Sequence, residues 1–157
     1  MANTMRWRYG DTCPVVLPVD SATVIEIGDL VYLDSDDAKP ASAQTDQGTK
    51  LANQQLFHDI FAGVAMQASR SGDTQPIRVA TTGVFEFDCV STTLEVGDMI
   101  GPDENVAGVA LLNQTAIKVG SANAAVGRCA KRLNPAGTRV LVDVVSAVLK
   151  GGAQAVL

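Results

Sequence analysis

Apolar and polar positions alternate with a period of two through several short stretches of this chain, and only once with the spacing of a helix. In VFEFDCV, residues 84–90, the apolar positions fall on one face and Glu86 and Asp88 on the other, as a half-buried strand requires. Val24–Ile27 and Leu30–Leu33 read as two short strands, or one bent strand, around a Gly28-Asp29 turn. Residues 61–67, 77–80 and 138–149 read as further strands, the last of them open to a helical final turn. The stretch 101–124 supplies short strands around Gly and Asn turns. TKLANQQLFHDI, residues 49–60, places Leu51, Leu56 and Ile60 near helical spacing and is the single predicted helix. The polar, turn-rich segments 34–48 and 68–76 read as surface loops.

The pattern is stated twice. IEIGDLVYLD (25–34) returns as LEVGDMIGPD (94–103), 69 positions later. After the first copy come FAGVAMQAS (61–69) and IRVATTGVFEF (77–87); after the second come AVGRCAKRL (125–133) and TRVLVDVVSAV (138–148). The period is too long for a solenoid and the copies too few for a propeller. Gly-Asp turns between β-branched runs are common in all-β proteins, so chance is the competing explanation. The reading adopted is a duplicated β-motif within one domain, with Gly28, Asp29, Gly97 and Asp98 as its structural turns.

The flanks differ from this core. Residues 1–23 lack a period, and Pro14 and Pro18 bracket the apolar CPVVLPV, which suits an extended N-terminal arm better than a central strand. The expected organisation is an arm over 1–23, a β-barrel or β-sandwich over 24–149, and a frayed tail over 150–157. A chain of 157 residues buries about 70% of its unfolded surface on folding, enough for a core without staples. Hydrophobic residues are 46% of the chain but aromatics only 4%, so that core is built from Val, Ala, Leu and Ile, which favours strands.

Charge and chemistry narrow the functions. The formal charge is −5 with acidic and basic residues interleaved, and no cluster of Lys and Arg marks a nucleic-acid groove. No apolar run is long enough to span a membrane. The chain therefore reads as soluble, made in the cytoplasm, with no nucleic-acid or membrane partner. Cys13, Cys89 and Cys129 are far apart without metal-like spacing and read as free thiols of a reducing compartment. His58 is the only histidine, and neither a nucleophile-elbow GxSxG nor a phosphate-binding glycine loop accompanies it. The acidic run Asp34, Asp36, Asp37 lacks the glycine and glutamate of a calcium loop. The expectation is a non-enzyme with no catalytic residues, no metal and no cofactor. What stands out instead is MRWRYG (5–10): Arg6, Trp7, Arg8 and Tyr9 are residue types that anchor protein interfaces, and they are the candidate partner-binding residues.

The order GDLVYLD, LFHDIFAGVAMQAS, IRVATTGVFEFDC, LEVGDMIGP and AVGRCAKR resembles the small capsid decoration, or cement, proteins of tailed bacteriophages, over about residues 24–149. The resemblance implies a β-barrel or β-sandwich that sits as a homotrimer on the outside of a phage head and bridges neighbouring major capsid subunits. It brings no catalytic residues. The competing classes are a small-molecule-binding or enzymatic β-barrel and another head or tail component. The contact is expected through the arm, with Trp7 and Tyr9 packed on a neighbouring subunit and Arg6 and Arg8 on its acidic groups. The globular domain is expected to melt unchanged when residues 1–10 are deleted.

Overall fold

In the computed structural model, which describes residues 2–150, two successive runs of five strands repeat one another. The first run is β2 (Val15–Leu17), β3 (Leu30–Asp34), β4 (Asp37–Pro40), β5 (Phe61–Ala65) and β6 (Ile77–Ala80). The second is β7 (Thr82–Leu94), β8 (Met99–Glu104), β9 (Leu111–Lys118), β10 (Gly127–Cys129) and β11 (Leu133–Val145). A short strand, β1 (Trp7–Tyr9), precedes both, and one helix, α1 (Lys50–Ile60), lies between β4 and β5. The sheet orders are β2-β6-β5-β3-β4 and β7-β11-β10-β8-β9. In each run the strands lie side by side as first, fifth, fourth, second, third.

The verbal repeat is thus a structural one, and it holds down to single hydrogen bonds. Gly28 and Gly97 adopt φ of +97° and +91°, which glycine enters without the penalty of a Cβ. The Asp29 amide donates to Glu26 O and the Asp98 amide to Glu95 O, each at 3.1 Å. In both turns the Asp carboxylate accepts the Glu amide at 2.9 Å. Gly28 N donates to Ala65 O and Gly97 N to Cys129 O, while Ala65 N and Cys129 N donate back to Asp29 O and Asp98 O. Gly63 and Gly127 then occupy the same place, facing Val31 of β3 and Ile100 of β8.

The two copies close differently. In the second, β9 meets β7 in a parallel bridge at Asp88 and Thr115, which makes a closed five-stranded barrel. In the first, β4 reaches the end of β2 through one hydrogen bond, Ala38 N to Pro18 O. The core follows from the alternation. Val31, Ala62, Ala65 and Val79 point into one apolar cluster with Leu17, Ile25 and Ala38. Their neighbours Leu30, Tyr32, Phe61, Val64 and Ala80 point the other way, into a cluster shared with Phe85, Phe87, Ile100, Val140 and Val142 of the barrel. One sheet therefore packs on both faces, which welds the copies together.

Some sequence expectations need amending. The helix forms over the expected residues, capped by the Thr49 side chain, which accepts from Ala52 N. Its buried face, however, is Asn53, Gln54 and Phe57, while Leu51 is exposed. The amides are satisfied there: Gln54 donates to Pro102 O at 2.8 Å and Asn53 to Glu104 at 3.1 Å. The expected loop 34–48 contains β4, because Asp34 and Asp37 pair across a two-residue turn and Pro40 sits on an edge strand, where its missing N–H costs least. Residues 2–23 do not reach outward: β1 joins the β7 sheet and β2 joins the first copy. Of the expected tail, 151–157 lies outside the described residues.

Candidate partner-binding surface

β1 pairs with β7 along residues 84–86, and β9 takes over the same edge of β7 at Asp88. Arg6 sits at that handover. Its side chain is buried, and Nε donates to Gln114 Oε1 at 2.6 Å while Nη1 reaches Glu86 O at 3.1 Å. Nη2 pairs with Asp88 Oδ2 at 3.2 Å. Gln114 in turn donates through Nε2 to Asp29 Oδ1 at 2.8 Å and to Ile27 O at 3.2 Å. A continuous polar chain therefore runs from β7 through Arg6 and Gln114 to the first Gly-Asp turn, joining the N-terminal segment to both copies of the motif.

Electrostatics mark the two duplicated aspartates differently. Burial pushes the Asp29 carboxyl up, outweighing the hydrogen bonds from Gln114 and the Glu26 amide. Asp98 is lowered, first by the hydrogen bond from the Glu95 amide, with Lys118 at 3.3 Å adding to it. Burial alone would raise Asp88, but the hydrogen bonds and positive charges around it, Arg6 foremost, hold it below the ordinary range. One turn motif thus serves as a buried joint in the first copy and as a surface hairpin in the second.

The four candidate residues split into two groups. Arg6 is unavailable to a partner because it is buried, and Arg8 pairs within the chain with Glu86 at 3.3 Å. Arg139 also reaches Glu86, at 3.4 Å, so the face bearing Glu86 and Asp88 is neutralised internally. In this structure the acidic groups that Arg6 and Arg8 meet are this chain's own, Asp88 and Glu86. Trp7 and Tyr9 remain at the surface, 41% and 50% exposed, and Met5 extends the stripe at 42%. Three large apolar side chains are thus exposed on or just before the edge strand β1, whose register shifts between Trp7 and Tyr9, while Arg6 is locked inside. The Trp7 indole N–H donates to Gly10 O at 3.0 Å, which fixes the ring. Deleting residues 1–10 removes a strand and the polar joint, so the expectation of unchanged melting is replaced by a marked loss of stability.

Other candidates take structural places. His58 Nδ1 lies 2.7 Å from Ala125 O on the half-buried end of α1. Cys89 and Cys129 are buried free thiols, their pKa values raised first by burial. Asp34 pairs with Lys39 at 2.7 Å. Among the described residues no group of His, Cys, Asp and Glu is arranged to hold a metal ion, and no helix is long and apolar enough to cross a membrane. Besides a cleft of about 370 Å³ lined by His58, Met99 and Val126, the molecule has a smaller apolar one of about 220 Å³. It opens where β7 and β9 part beyond Asp88, lined by Cys89, Leu94, Ile100, Ala116 and Val140 together with the polar Ser91, Thr92 and Lys118. Sequence reasoning missed Gln114 and this cleft; Gln114 stands 108 residues from its partner Arg6, and no local signal links them. Comparison of the chain with family models and with curated proteins returns no match.

Proposed function

We propose that this protein is a structural virion component: a decoration protein that stabilises the outside of a tailed-bacteriophage head by bridging major capsid subunits, as a homotrimer. It would be made in the host cytoplasm and act on the capsid exterior. The resemblance of the repeated Gly-Asp segments to capsid decoration proteins supplies the class. The observation that supports the reading is the exposure of Met5, Trp7 and Tyr9 on and just before a clamped edge strand. Monomeric proteins seldom leave contiguous large apolar side chains on an unprotected strand edge, because such an edge recruits partners. The polar groups beside it are spent on internal pairs, so what is offered to a neighbour is apolar area with little polar desolvation to overcome.

The test is decoration of expanded phage heads by purified protein, with occupancy measured by quantitative electrophoresis and by counting copies in particle images. The expected result is saturable binding at threefold positions, with Trp7→Ala lowering occupancy while the fold is retained. No binding to heads, or binding in rings of another order, would overturn the reading in favour of a small-molecule-binding or enzymatic barrel or another head or tail component.

A further inference from the structure

The two Gly-Asp turns share their internal hydrogen bonds but not their cover. Across the first lie residues 3–6: Ile27 N donates to Asn3 Oδ1 at 3.1 Å and Thr4 N donates to Ile27 O at 3.1 Å. A Cβ on Gly28 would stand 2.8 Å from Thr4 O, so the covering chain passes directly over the glycine. The matching residues of the second turn are Val96 and Gly97. Among the described residues nothing bonds to the Val96 N–H or C=O, and nothing lies within 4 Å of a Cβ on Gly97. Val96 is 66% exposed. The second turn therefore offers the seat that the first has filled, with the same backbone donor and acceptor and the same glycine to let a chain approach closely.

Charge distinguishes what each seat takes. The first turn holds the carboxylates Glu26 and Asp29, with Asp88 lining the same hollow, and its cover brings the cation Arg6. The second is set among four cations. Arg128 donates to Gly97 O at 2.9 Å, Arg132 pairs with Glu95 at 3.0 Å, Lys118 pairs with Asp98 at 3.3 Å, and the exposed Lys131 adjoins Arg132. They outnumber the two carboxylates of the turn, in a chain whose formal charge is −5. Residues 3–6 of another copy do not suit this seat, because they are held on their own first turn and carry Arg6. We propose that the second Gly-Asp turn docks an extended acidic segment of a partner, which donates to Val96 O, accepts from Val96 N and passes over Gly97 as residues 3–6 pass over Gly28. Its carboxylates meet Lys131 and Arg132, so complementary charge selects it while the backbone bonds hold it. This rests on the function proposed above and deepens it: the segment belongs to a neighbouring capsid subunit.

Two variants test this on expanded phage heads. Lys131→Glu reverses an exposed charge that has no ion pair among the described residues, and Gly97→Ala puts a methyl where the covering chain must pass. Circular dichroism verifies that each keeps its fold. The expected result is that each binds heads more than tenfold more weakly than wild type, and that added salt weakens the wild type more than Lys131→Glu. On heads, the Val96 amide should gain protection from hydrogen exchange while the Ile27 amide, already bonded, does not change. Wild-type protein that decorates heads while both variants match it and Val96 stays unprotected overturns the inference and leaves the decoration reading standing. If Lys131→Glu alone loses affinity and Val96 stays unprotected, the cations act through side chains only and the docked segment is overturned. Wild-type protein that does not bind heads at all overturns the decoration reading and this contact with it.

Discussion

Replacing Gly28 and Gly97 by alanine, one at a time, separates the two uses of the same turn. Both residues lie near φ +90°, where a Cβ costs about 1–2 kcal/mol, partly offset by about 0.4–1 kcal/mol because alanine has less freedom to lose on folding. At Gly97 nothing lies within 4 Å of the added methyl, so the backbone term is the whole effect, about 1 kcal/mol. At Gly28 the methyl would stand 2.8 Å from Thr4 O and 3.1 Å from two Arg6 carbons. The N-terminal segment must retreat, which breaks the bond from Thr4 N to Ile27 O and loosens the Arg6 joint. One or two weakened hydrogen bonds add about 1–2 kcal/mol. For a chain of this size that extra cost lowers the melting temperature by roughly 2–8 °C beyond the Gly97 variant. Calorimetry and urea titration of both variants measure the difference. In an Arg6→Ala background the two penalties should draw together, because the displaced segment is already loose. Equal costs for the two glycines in the wild-type background would refute the claim that the first turn is a joint and the second a free hairpin.

Arg6→Ala itself should cost about 2 kcal/mol, since it strands the buried Gln114 and removes one partner of the partly exposed Asp88; urea unfolding measures it, and a loss below about 0.5 kcal/mol would mean the joint contributes little. The duplicated aspartates should give opposite pH responses. Asp29 has a raised folded pKa, so its ionisation costs stability as pH rises from its unfolded value, near 3.9, towards that raised value; Asp29→Asn should therefore compare better with wild type at pH 7 than at pH 3.5. Asp98 has a lowered folded pKa, so its contribution is present above the unfolded value and lost as pH falls through the folded one; Asp98→Asn should compare worse at pH 7 than at low pH. Denaturant unfolding of each pair at both pH values decides this. Thr49→Ala removes the helix cap and should cost about 1 kcal/mol by the same assay.

The repeat was legible because its physics is local: a glycine at positive φ, an aspartate whose carboxylate closes the turn, and apolar strands on either side fit within ten residues. The strand alternation of 84–90 and the span of α1 were readable for the same reason. The buried face of the helix was not, because Asn53 and Gln54 are buried by acceptors on β8, some fifty residues later in the chain. The N-terminal segment misled most. An arginine-rich stretch next to prolines reads as solvent-exposed until Gln114 and Asp88 arrive from distant strands to satisfy Arg6. Half of the candidate surface, Trp7 and Tyr9, kept its exposure; the other half, Arg6 and Arg8, was consumed by partners that local spacing could not reveal.

The placement of β1 has a consequence for how the molecule comes apart. A strand that precedes the first copy is laced to the second, Arg8 and its partner Glu86 standing 78 positions apart, so the whole first copy hangs as a loop between two neighbouring strands of one sheet. Closing so long a loop is slow, and it must wait for β7 to be made, so during synthesis the first copy can gather its own strands before the clasp is fastened. Once fastened, the clasp means that neither copy can loosen without pulling on the other, and unfolding should proceed as one event. Pulled from its N-terminus, the protein would yield at β1 first, and only then lose the link between its two halves.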